Sequence, residues 1–182
     1  MASNGPFSTP AKLFLLSLIL AMLFMTRPSE AQTQRQNQTN LVLFFQDYAS
    51  GRNATVVPVV GITGKTWSFV SFGTIFAIDD QVTQTPDKSS AQVGRAEGVL
   101  VTSALDGSNV SVLISIVFNN LEYSGSTLEL QGVIRQNERY REVSVVSGTG
   151  RFRFARGYAI FETIYYDRAT SNTIIRCTVT LG

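Results

Sequence analysis

Asp47 is the first residue whose type and place could do chemistry. Within Leu41–Tyr48 it alternates in step with Leu41, Leu43 and Phe45, so in a strand its carboxyl points where apolar side chains point. Desolvation on such a face disfavours the charged form and raises the pKa, which suits the group to give or take a proton. The same spacing equally admits an aspartate at a strand end that reaches water or pairs with an arginine. Around it the usual reactive groups are missing, since the chain has no histidine and one cysteine. No neutral-pH imidazole shuttle and no Ser-His or Cys-His nucleophile can be built. The common zinc, copper and haem sites lack their ligands, so no metal and no cofactor is expected. Chemistry must come from Asp, Glu, Arg, Tyr and shape, and the protein is not expected to be the oxidant in a redox reaction.

The elements that position such residues read as strands. Beyond residue 40 there is no helical periodicity, and strands are predicted near 41–48, 54–60, 72–79, 92–103, 110–122, 126–133, 140–147, 151–163 and 173–181. Turn signals separate them at Ser50–Asn53, Asp106–Asn109, Ser124-Gly125 and Asp167–Asn172, and the longest polar loop is expected at 80–91. Eight or nine strands with short connections imply a sandwich or a closed barrel. In Val110–Asn119 one parity is Val110, Val112, Ile114, Ile116 and Phe118, and the other mixes serines with Leu113, Val117 and Asn119. A wholly apolar face backed by a small mixed one favours a barrel wall.

At the amino terminus Lys12 precedes an apolar run, Leu13–Met25, that is shorter than the roughly 20 residues of a membrane span. With small residues at Ser29 and Ala31, this predicts a secretory signal over residues 1–31, a disordered segment over 32–40 and one domain over 41–182. The expected location is extracellular. Sequons at Asn37, Asn53 and Asn109 fit export, and Asn53 and Asn109 fall in predicted turns. Loss of Lys12, Arg27 and Glu30 with the signal lowers the formal net charge from +2 to +1, which leaves no footprint for nucleic acid or an anionic membrane. Cys177 cannot close an internal disulfide and reads as a small buried hydrophobe in the last strand.

Three blocks carry a resemblance. Val145–Ala159 (VVSGTGRFRFARGYA) is similar to the V-V-G-G-T-G-x-F-x-x-A-R-G-Y-A block of plant dirigent proteins. Phe72–Asp80 resembles the family's F-G-x-x-x-x-x-D-D segment, and Val93–Gly98 resembles its V-G-R-A-Q-G. The blocks lie in family order, and the similarity runs from about Leu41 to Leu181. The resemblance implies an all-β fold, an eight-stranded antiparallel β-barrel of the dirigent and allene oxide cyclase type that forms homo-oligomers, dimer or trimer.

It also implies that Asp47 and Arg141 belong to the cavity as the proton-handling residues. On spacing alone Arg141 reads first as an exposed arginine paired with Glu138 or Glu142. Asp79 matches the family aspartate that follows the F-G strand, with a turn-stabilising role as the alternative, and Asp80 is expected to cap the next loop. Arg95 is expected in an ion pair or in contact with ligand. Leu100 and Thr102 stand where some members carry two tyrosines, and Val133 and Ile134 stand where lignan-forming members carry an aspartate; Leu100, Thr102 and Ile134 therefore imply a more apolar pocket. The implied function is stereoselective coupling of phenoxy radicals made from a monolignol such as coniferyl alcohol by a separate oxidase such as a laccase, in the cell wall. The alternatives are a quinone methide cyclase or dehydratase of the isoflavonoid type, and a non-catalytic phenolic-binding wall protein.

Overall fold

The computed structural model describes residues 39–120 and 122–182. The expected signal segment and Asn37 lie outside them. Nine strands follow one another: β1 (Thr39–Asp47), β2 (Val56–Val60), β3 (Ile75–Thr83), β4 (Gln92–Thr102), β5 (Asn109–Phe118), β6 (Thr127–Arg135), β7 (Arg141–Gly148), β8 (Gly157–Tyr166) and β9 (Thr173–Leu181). The hydrogen-bonded order is β1-β9-β8-β7-β6-β5-β4-β3-β2, and β1 also pairs with β3, Phe44 opposite Thr83. Eight antiparallel strands thus close into a barrel, while the short β2 flanks β3 at one rim.

Alternation gives the closed barrel its apolar lining. The predicted apolar face of β5 lies inside, with Val110, Val112, Ile116 and Phe118 all at 3 % exposure or less. Leu43 and Phe45 of β1, Leu128 and Leu130 of β6, Val143 and Val145 of β7, and Cys177 and Val179 of β9 meet Val112, Ile116 and Phe118 in one core. Each side chain buried in this way contributes about 1.5–3 kcal/mol. Gly98, in the middle of β4 at φ +156, allows the wall to bend, because a Cβ there would lie 2.1 Å from the Leu113 carbonyl oxygen.

The two barrel ends differ. At one, Phe118, Tyr123 and Phe152 form an aromatic plug with ring centroids 5.1–5.4 Å apart. At the other, residues 61–74 fold across the rim, and Phe69 stacks on Phe76 at 4.0 Å. The Phe69 carbonyl accepts hydrogen bonds from Thr102 Oγ1 at 3.0 Å and Gln136 Nε2 at 2.6 Å, which hold that segment in place.

Several expected boundaries shift. β1 begins at Thr39, inside the segment expected to be disordered. The strand expected over 151–163 is broken: Gly150–Phe152 form a 3-10 turn, Phe154 takes φ +66, and β8 starts only at Gly157. β3 starts later than expected and runs on to Thr83, which places both Asp79 and Asp80 inside a strand. Asn109 opens β5 and is half-buried, whereas Asn53 is exposed on the β1–β2 turn.

Candidate functional site

Asp47 ends β1 and Asp80 lies in β3; both turn inward at the rim end of the barrel. Asp80 shares parity with Phe76, Ile78 and Val82, all buried, and is itself 3 % exposed. Arg141 opens β7 on the opposite wall. With Phe45, Leu100, Ile134, Phe161 and Ile175 these three line an inner chamber of about 50 Å³. A vestibule of about 400 Å³ shares Asp47 and Val56 with it and has Trp67, Phe69 and Tyr166 in its walls.

Burial governs the electrostatics. Desolvation raises Asp47 to a pKa of about 6, partly offset by the Thr173 hydroxyl directly across the ladder. Desolvation raises Asp80 to about 8, and the neighbouring Asp47 charge pushes the same way. Thr55 opposes this by donating to Asp80 Oδ1 at 2.6 Å. Two carboxyls that cannot both ionise at low cost hold at least one proton at neutral pH. Burial lowers the pKa of Arg141, whose Nη2 donates to Thr163 Oγ1 at 2.7 Å.

Two buried side-chain polar atoms among the described residues make no well-formed hydrogen bond: Arg141 Nε, and Thr173 Oγ1, which lies beside the Asp47 carboxyl without bonding geometry. Both belong to this site: Arg141 lines the chamber, and Thr173 lines the vestibule. An orphaned buried donor costs about 1–3 kcal/mol, so a ligand oxygen that meets it recovers that cost on binding.

The expected site residues separate into two sets. Asp47, Arg141, Leu100 and Ile134 meet in the chamber. Thr102 points inward but is fully buried and bound to the Phe69 carbonyl, so it holds the rim segment and does not line the chamber. Asp79 and Arg95 form an ion pair on the outer surface, because neighbouring positions on a strand face opposite ways. They lie in an open external groove of about 750 Å³. That groove is larger, but Asp79 and Arg95 are paired there and Lys88 is solvated, whereas the unpaired buried groups are inside. Asp80, expected to cap a loop, is the residue that sequence reasoning missed. Its parity with Phe76, Ile78 and Val82 was the available signal. Glu162, on the outer wall, is held well below the usual carboxylate range by Arg139 and Arg176 and clamps β8 to β9. Among the described residues no three of His, Cys, Asp and Glu come together to hold a metal.

The fold is a meandering eight-stranded barrel that is plugged at one end, with an acid pair and an arginine lining an apolar chamber at the other. The sequence comparisons agree on its lineage. A family model described as Dirigent-like protein matches residues 38–182, and the chain belongs to the dirigent family. It is similar to Dirigent protein 23 of Arabidopsis thaliana, 35 % identical with 94 % of this chain and 98 % of that protein covered. It is also similar to Pterocarpan synthase 1 of Glycyrrhiza echinata, 34 % identical with 96 % and 95 % covered. A solved structure of a pterocarpan synthase dirigent protein superposes with a TM-score of 0.74 at 31 % identity, covering 81 % of this chain and 96 % of that one.

Proposed function

We propose that this dirigent protein acts on a single phenolic substrate by proton transfer, as a quinone methide cyclase or dehydratase. The observation that carries the reading is the chamber itself, with two carboxyls of raised pKa and an unpartnered Arg141 Nε around about 50 Å³. A water requires about 10–15 Å³ on this measure, so the space admits part of one ring and its oxygen, not two rings. The rest of the substrate lies in the vestibule against Trp67 and Tyr166.

In the reaction, a protonated carboxyl gives its proton to a benzylic hydroxyl. The C–O bond breaks, water leaves, and the ring phenol loses its proton to the second carboxylate as the quinone methide forms. A hydroxyl of the same molecule then adds to the methide carbon and closes the ring, its proton restores the phenol, and the proton taken up by the second carboxylate returns to the first so that the pair is ready for the next turnover. Arg141 Nε–H holds the phenolic oxygen as charge develops. The similarity to two pterocarpan synthases supports this branch.

Stereoselective coupling of phenoxy radicals supplied by a separate laccase is the second reading. The aromatic walls of the vestibule favour it, since they offer a stacking surface for a second ring, and about 1.4 kcal/mol between competing orientations gives a tenfold bias. In either case the protein is proposed to be exported through residues 1–31 to the cell wall and glycosylated at Asn53. It is further proposed to form a homo-oligomer through the apolar outer wall, where Leu113 and Val133 are 57 % and 55 % exposed.

The test is a panel of phenols, with and without laccase, followed by chiral chromatography. Turnover of a benzylic-hydroxyl phenol without oxidant, abolished in Asp47→Asn, is the expected result. Enantiomeric enrichment that appears only with the oxidase would replace the first reading by the second.

A further inference from the structure

Two acids in one chamber must divide the work, and the hydrogen bonds around Asp80 set how. The Tyr48 backbone N–H donates to Thr55 Oγ1 at 3.0 Å, and Thr55 Oγ1 lies 2.6 Å from Asp80 Oδ1. An amide N–H can only donate, and a threonine hydroxyl has one proton. With its acceptor side taken by Tyr48, the Thr55 proton goes to Asp80 Oδ1. In the reverse arrangement Thr55 would accept from both neighbours, and its own hydrogen would have no acceptor among the described residues, at a cost of about 1–3 kcal/mol. The bond is held rigidly, because Thr55 N donates to the Tyr48 carbonyl at 2.8 Å and Asp79 N donates to the Thr55 carbonyl at 2.9 Å.

We infer that Thr55 is a positioning residue: it confines the Asp80 proton to Oδ2, on the chamber side, so that Asp80 is the acid and Asp47 the base. Asp80 Oδ2 takes no hydrogen bond from any described residue. Asp47 has only the Thr173 hydroxyl beside it, which has no fixed partner and can turn with the charge. The charged groups acting on Asp80 are Asp47 from β1, its own neighbour Asp79 and Arg95 from β4, while Arg141 faces it across the chamber. Thr55 is also the hydroxyl residue of the sequon at Asn53, so the side chain required for glycosylation at that turn is the one that orients the acid. This assignment rests on the proton-transfer reading above, but its test does not require turnover.

The experiment is a carbon-13 carboxyl titration of aspartate-labelled protein, with the Asp80 signal assigned from its loss in D80N. The wild type is compared with Thr55→Val, Thr55→Ser and Asn53→Gln. Loss of a donor to the carboxylate in Thr55→Val is expected to move the Asp80 titration up by about one to two pH units. Thr55→Ser should restore it, and Asn53→Gln, which removes only the glycan site, should match the wild type. In turnover, the alkaline limb of the kcat profile should move with the titration in Thr55→Val. If Thr55→Val does not fold, the H2O/D2O isotope shift at Asp80 Cγ in the wild type, read above its titration where the carboxylate carries no proton of its own, reads the same bond. An Asp80 titration that superposes on the wild type in Thr55→Val, or the absence of that isotope shift, overturns the inference. A titration that moves while no phenol is turned over overturns the proposed reaction and leaves the hydrogen-bond assignment standing.

Discussion

Replacing Asp80 by asparagine should stabilise the protein at neutral pH while removing its activity. The folded pKa is about 8, against 3.8 for an unperturbed aspartate. Below 3.8 the carboxyl is protonated in both states and contributes nothing to the pH dependence. As pH rises above 3.8 the unfolded chain loses the proton while the folded chain keeps it, so stability falls, and the loss levels off only above the folded value. Each pH unit in that window costs about 1.4 kcal/mol, which places the cost near 4 kcal/mol at pH 7. Asparagine retains the oxygen that accepts from Thr55 and does not titrate. D80N and wild type should therefore have similar stability at pH 4 and diverge by about 4 kcal/mol at pH 7, or about 10 °C in Tm. Urea denaturation at pH 4, 5.5 and 7, with the slope checked for constancy, measures this directly. If the two proteins lose stability in parallel across the range, Asp80 is ionised or solvated in the folded state, and the argument for a protonated acid in the chamber is refuted.

Other outcomes follow from the same structure. Arg141→Met should raise the KM for a phenolic substrate by tenfold or more with little loss of stability, because the guanidinium is desolvated and its Nε unpartnered; calorimetric titration and melting curves check the two halves. Gly98→Ala should cost about 3 kcal/mol or prevent folding, since the new Cβ would strike the Leu113 carbonyl; denaturant unfolding tests this. Cys177 should not react with a thiol reagent in the native protein and should react promptly in denaturant, because complete burial pushes its thiol pKa up. In protein expressed through a eukaryotic secretory route, glycosidase treatment followed by mass spectrometry should find Asn53 fully occupied and half-buried Asn109 less so.

The lineage, the all-β class and the apolar inner face of β5 were legible in the residues themselves, because side-chain alternation is a local property and the three family blocks lie in order. The parity of Asp47 with Leu43 and Phe45 was legible too, but spacing left a solvated strand-end aspartate equally open. The closure of β1 onto β3 was not legible, since nothing local announces a pairing between Phe44 and Thr83. That closure extends β3 past the double aspartate, and the pleat then sends Asp79 out to Arg95 and Asp80 into the core. The stretch from Arg151 was misleading because its arginines and aromatics satisfy a strand pattern as readily as a turn, and only the 3-10 turn at Gly150–Phe152 decided between them. Sequence alone determined which residues could be buried. Tertiary structure decided which charges lost their water, because desolvation depends on every wall of the barrel at once and no single strand carries that information.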